Sequence, residues 1–224
     1  RHPSNYPCWN RLKILVSFSD IDDIQQRAFN AMLSSHAARK NFAKNVVGFC
    51  KKCNLDGVDL NYQRPNKQNR DNFVDLLKRI KELMHSLIHI ETLHSSSFNI
   101  FMFSDTADPH TLSVTLNGGA LHKYKLKEIS KKSKFINLMT FDLENPKIDV
   151  IGIDWAVNIC ITEGVHLNKI NIGIATHGSN DTRTMEVKAT YARYGGFNGI
   201  ALYSFDGDDY SKGFPLIRSA VDML

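Results

Sequence analysis

Cysteine is scarce, with four residues among 224, at positions 8, 50, 53 and 160. Cys50-x-x-Cys53 has no second Cys or His pair at zinc spacing, so it lacks the ligand set of a structural metal site and no metal is expected. Cys160 lies among apolar residues and reads as a buried free thiol. No apolar run approaches the ~18 residues that cross a bilayer, which speaks against a membrane protein. No stretch reads as a signal peptide, a segment that a processed chain would have lost. No G-x-G-x-x-G or Walker loop opens a helix, so no nucleotide cofactor is expected. Tryptophan is rare too, with two residues against seven tyrosines and thirteen phenylalanines.

Charge is the next bound. Lys and Arg exceed Asp and Glu by 28 to 23, a formal net charge of +5. The lysines gather in "KYKLKEISKKSK" (123–134), with Lys51, Lys52, Lys78 and Lys81 elsewhere. No Arg–aromatic interleaving accompanies them, so the pattern reads as solvated helix faces rather than a surface for anionic glycans or nucleic acid, and no nucleic-acid partner is expected.

What is present is an alternation of short apolar runs and amphipathic stretches. Strands are expected at 12–18, 57–62, 99–104, 111–117, 136–142, 170–176 and 199–205. Most read as near-continuously apolar, as in parallel strands covered on both faces. Between them, Phe42, Val46, Phe49 and Cys50 share one helical face, and so do Phe73, Leu76, Leu77, Ile80, Met84 and Leu87. Helices through Trp155 and Met185 are expected to end at Gly164 and Gly195 in left-handed caps, and the last helix to start near Pro215. Repeated strand–helix units imply a parallel α/β fold, either a closed barrel or a doubly wound sheet.

The segment "DGVDLNYQRP" (56–65) carries the chemistry. Alternate residues of a strand share a face, so Asp59, Asn61 and Gln63 line up together, with Asp56 just before the strand. In a barrel, the C-terminal end of such a strand is where active sites are built. Equally, these groups could do no more than satisfy one another inside the barrel.

This segment resembles the signature of the family 18 glycoside hydrolases, the chitinases and chitinase-like lectins, whose active members read D-G-x-D-x-D-W-E-Y-P. Three further segments agree in order. "LKILVSF" with the helical stretch after it resembles the family's third strand and following helices. "FINLMTFD" resembles its M-x-Y-D motif, and "GFNGIALYSFDGDDYSKGFPLIRSAV" its eighth strand and last helix. The resemblance implies a TIM (β/α)8-type barrel forming a single, partial domain over residues 1–224. The two N-terminal strands and the inserted α+β module have no counterpart in the sequence. Run 99–104 is extra to the family pattern.

The resemblance also implies what each site residue does. Family members protonate the glycosidic oxygen with the last acid of the signature, while the sugar's own acetamido group attacks the anomeric carbon. Here that acid is Gln63, and the Asp that supports the resulting cation is Asn61. An amide donates hydrogen bonds but transfers no proton near neutral pH and carries no charge. Tyr62, Arg64, Phe141 and Tyr203 also depart from the pattern, and Ser19-Asp20 stands where the third strand would end in Gly-Gly. A replacement acid would have to come from Asp142, Glu144 or Asp206.

The expectation is therefore a non-catalytic protein. Asn61, Gln63, Met139, Phe141, Asp142 and Tyr203 would form the carbohydrate site, taking a chito-oligosaccharide or another N-acetylated glycan. The alternatives are a lost sugar site with a protein partner on the barrel surface, or residual weak chitinase activity. An extracellular setting follows from the same resemblance. It gives weight to the Asn180-Asp181-Thr182 glycosylation sequon and to a Cys8–Cys53 disulfide between the starts of neighbouring strands.

Overall fold

The computed structural model describes residues 13–94, 111–140, 150–177 and 181–224, with residues 87–94 described by backbone alone. Six strands form one sheet in sequence order: β1 (Leu15–Ser19), β2 (Gly57–Tyr62), β3 (Thr111–Asn117), β4 (Ile136–Met139), β5 (Ile170–Ala175) and β6 (Gly199–Tyr203). Every neighbouring pair is parallel. Helices supply the crossovers: α1 (Asp23–Ser34) and α2 (His36–Lys52) after β1, α3 (Arg70–His94) after β2, and α4 (Leu126–Lys132) after β3. Then come α5 (Val150–Thr162), α6 (Thr182–Tyr194) and α7 (Pro215–Val221) after β4, β5 and β6. The sheet is curled, an α/β half-barrel with strand–helix units of the TIM type. β5 reaches β6 through α6, with no inserted module among the described residues.

The strands are less uniformly apolar than their runs of residues suggest. On one side Val58, Leu60, Tyr62, Val114, Leu116, Ile136, Leu138, Ile172 and Ile174 are buried, most of them completely, against the helices. On the other side the residues are polar or small: Ser17, Asp59, Asn61, Ser113, Thr115, Asn137, Asn171 and Gly173. The period is therefore two, with the apolar face toward the helix layer. Register aligns the polar set, pairing Ser17 with Asp59, Asp59 with Ser113, and Asn61 with Thr115.

These polar side chains form one hydrogen-bonded ladder across the sheet. Asn198 Nδ2, just before β6, donates to Asn171 Oδ1 at 2.7 Å, and Asn171 Nδ2 donates to Asn137 Oδ1 at 2.9 Å. Asn137 Nδ2 donates to Thr115 Oγ1 at 3.1 Å, and Thr115 Oγ1 donates to Asp59 Oδ2 at 2.9 Å. Ser17 and Ser113 also donate to the Asp59 carboxylate, at 2.9 and 2.7 Å. Every rung points its donor toward Asp59, so each bond polarises the next.

The helix layer follows from local sequence. Ser35 ends α1 and caps α2: its N–H donates to Met32 O, and its Oγ accepts from Ala38 N. Arg39, buried in α2, ties three helices together by bonding Leu33 O and, at 2.8 Å, Asp75 of α3, which also accepts from Arg79. Phe73, Leu76, Leu77, Ile80 and Met84 are all buried, as their spacing predicts, whereas Phe49 of α2 is 46% exposed and turns away from the core. Gly164 takes the expected left-handed conformation after α5, with φ at +83°. After α6 it is Gly196, not Gly195, that does so, because Gly195 continues the helical turn. Cys160 is a buried thiol, pushed up to about 12 by burial.

Candidate carbohydrate cleft

The C-terminal ends of the strands open into a cleft of about 280 Å³, lined by Ile21, Asn61, Gln63, Arg64, Thr115, Asn117, Met139 and Tyr203. Asn61 and Gln63 stand at and just beyond the end of β2, joined by a hydrogen bond from Gln63 Nε2 to Asn61 Oδ1 of 2.8 Å. Met139 closes β4, and Tyr203 closes β6 with 38% of its surface exposed. The Tyr203 ring meets His177 edge-on, with centroids 5.9 Å apart. Four of the six expected binding residues are thus brought together. Phe141 and Asp142 lie outside the described residues, as do the sequon's Asn180 and run 99–104.

Two other residues of the signature stand away from the cleft. Asp59 is 8% exposed and buried in its cage of three hydroxyls. Burial raises its carboxyl above the ordinary range, against the opposing pull of those hydroxyls. Asp56 sits at the opposite, N-terminal edge of the sheet, where Oδ2 accepts from Ile14 N at 2.8 Å and fastens β1 to β2. Both are scaffold carboxylates. Cys53 is an exposed free thiol at the end of α2, and Cys8, its expected partner, lies outside the described residues.

Asp20 was visible in the sequence only as a departure from Gly-Gly. It is fully buried, and its two oxygens accept from Gln63 N at 2.6 Å and Arg64 N at 3.0 Å. On the far side, Asn117 Nδ2 donates to Gln63 O at 3.2 Å. The backbone of Gln63 is therefore gripped from β1 and from β3. Burial raises the Asp20 carboxyl, while those two N–H groups pull it back. Arg64 turns outward and pairs with Asp23. The sequence signal for Thr115 and Asn117 was the alternation in "TLSVTLN", whose polar residues share a face with Asp59 and Asn61.

The cleft's chemistry is that of amides, hydroxyls, an aromatic ring and a thioether, with the Arg64 guanidinium paired to Asp23. After the bond between them, Asn61 and Gln63 still present amide N–H groups and the Gln63 carbonyl, a reciprocal set for neutral donors and acceptors. Neither titrates near neutral pH. Asp206, beyond β6, accepts from Ser204 Oγ, which holds its carboxyl below the ordinary range, and Asp20 is fully buried and does not line the cleft.

A parallel half-barrel with a polar cleft at the strands' C-terminal ends is the architecture of a TIM-type protein with its site in the usual place. The family description "Glycosyl hydrolases family 18" matches residues 9–189, and the chain belongs to that family. Among similar proteins, Chitinase 1 of Aphanocladium album is 26% identical over 197 residues, covering 80% of this chain and 43% of its own length. Chitinase-like protein Idgf2 of Drosophila melanogaster is 26% identical over 205 residues, covering 75% and 47%. The chain thus spans less than half the length of the curated relatives it matches. In fold it is similar to human YKL-39, described as a pseudo-chitinase with retained chitooligosaccharide binding properties. That likeness has a TM-score of 0.74 at 17% identity, covering 95% of this chain and 80% of the other.

Proposed function

We propose that the protein is a secreted, non-catalytic chitinase-like protein whose cleft holds an N-acetylated glycan such as a chito-oligosaccharide. The observation that carries this reading is the hydrogen-bonded Asn61–Gln63 amide pair at the end of β2, where the family's acids stand in active members. An amide at the donor's place cannot deliver a proton to a glycosidic oxygen, and general acid catalysis is commonly worth 10²–10⁴ in rate. Among the described residues no replacement acid reaches the cleft: Asp20 is occupied by two backbone amides, and Asp206 is held ionised by its serine.

The same amides favour binding. An acetamido group offers one N–H and one C=O, which the pair can match without desolvating a charge. Tyr203 gives a partly exposed ring on which a sugar face can stack. A family that includes active chitinases and a described pseudo-chitinase is compatible with this reading.

Calorimetric titration with chito-oligosaccharides is the test. Saturable binding is expected, weakened roughly tenfold, or about 1.4 kcal/mol, by Tyr203→Ala. No saturation with any N-acetylated glycan would defeat the lectin reading and leave the surface-partner alternative. Release of fluorophore from a chitobioside is expected to match that of Gln63→Ala. Turnover clearly above that variant would make the protein an enzyme.

A further inference from the structure

The lysines of the sequence do not all spread over solvated faces. At the N-terminal edge of the sheet, opposite the carbohydrate cleft, Lys81 and His85 of α3, Lys132 at the end of α4, Lys134 before β4 and Lys169 before β5 surround a second cleft of about 270 Å³. Leu112 of β3 lines this one and Asn117 the first, five residues apart, or roughly 16 Å along the strand. Four lysines from α3, the end of α4, the turn before β4 and the turn before β5 thus line one hollow. No carboxylate lines it, and among the described residues none is within ion-pair distance of these lysines.

We infer that this cleft is a binding site for a tetrahedral oxyanion, carried as the sulfate ester of an anionic glycan or as phosphate. Like charges so gathered repel, and the carboxylate that feels one of them, Glu128 near Lys132 on α4, is not part of the lining. Lys81 and Lys169 are fixed in place by the carbonyls that end α4: Lys81 Nζ donates to Lys131 O at 3.4 Å, and Lys169 Nζ to Ser130 O and, at 3.0 Å, to Ser133 O. Those carbonyls carry no net charge, although as the C-terminal end of α4 they offset part of the lysines' field, and each ammonium has three donors. Burial first, and then the charge of Lys81, lower the Lys169 ammonium. The lining holds no Phe, Tyr or Trp, and its one ring is the His85 imidazole, a small surface for a nucleobase to stack on. Lysine point charges suit sulfate and phosphate alike.

The experiment titrates the full chain at fixed ionic strength with a heparin hexasaccharide, with inorganic phosphate, and with a single-stranded oligonucleotide of matched charge. Saturable binding of the hexasaccharide or of phosphate is expected, and which of the two binds tells the sources apart. Lys132→Gln with Lys134→Gln removes two cations that form no ion pair among the described residues, and should weaken that binding at least tenfold while leaving the circular dichroism unchanged. Lys67→Gln with Lys123→Gln, on the opposite face, removes the same charge and should change it less than twofold. An equal loss in both pairs, an oligonucleotide bound as tightly as the hexasaccharide, or no saturation with either anion would overturn the site.

Discussion

Gln63 is held by its backbone as well as by its side-chain bond to Asn61, and Asp20 holds both its N–H and that of Arg64. A buried carboxylate that satisfies two N–H groups cannot be truncated without leaving both unpaired. Asp20→Ala should therefore cost roughly 2 kcal/mol in urea denaturation, at the middle of the range for an orphaned buried polar group. It should also weaken glycan binding, whereas rescue of both properties by Asp20→Asn would limit its role to one hydrogen bond. Asn61 and Gln63 were legible from their alternation and their place in the signature. Asp20 was not, because a lone acid at a strand end looks like any turn residue until the neighbouring strand's loop is folded over it. Asp59 was legible as a member of the same face, yet its burial depended on three hydroxyls from two other strands.

At the scale of elements, most of the strand set could be read from runs of β-branched and apolar residues, and β2 and β3 fall on the expected residues. What the runs concealed was their two-sidedness: "INIGIA" looks apolar until Asn171 and Gly173 are seen to share the inner face with Ser113 and Thr115. Two helix assignments also shifted for local reasons, since Phe49 lies at the margin of its stripe and the glycine after Gly195 takes the left-handed turn instead. Gly57 begins β2 where the backbone of β3 passes closest. A Cβ there would lie 1.9 Å from Thr111 O, a collision with backbone that no rotamer relieves. Gly57→Ala should destabilise the fold by about 3 kcal/mol or more, the upper end for overpacking, read as a lowered midpoint of thermal unfolding. Ser35→Ala removes the cap of α2 and should cost about 1 kcal/mol by the same measurement.

For the whole molecule, the buried carboxylates set a direction with pH. Asp20 and Asp59 both have raised carboxyl pKa values in the folded protein, so the folded state binds more protons than the unfolded chain above the ordinary carboxylate range. Their contribution to stability therefore falls as pH rises from roughly 4 through their folded values. Asp59→Asn removes one of these titrations. The stability of the variant relative to the original chain should grow as pH rises from about 4 toward neutrality, measured by urea midpoints across that range. A difference that stays constant with pH would reject Asp59 as a source of the slope.

The interior ladder has a consequence for how the sheet keeps its alignment. In a closed barrel, strand stagger is imposed by closure itself, because the first and last strands must meet in register. Among the described residues, β1 and β6 do not meet, so that constraint is missing. The amide and hydroxyl chain from Asn198 to Ser17 supplies a substitute. A slip of one residue in any strand would swing its rung to the helix side and break the chain at that point. Alignment is stored in side chains that cross the sheet, so an open arc can keep the spacing of a ring.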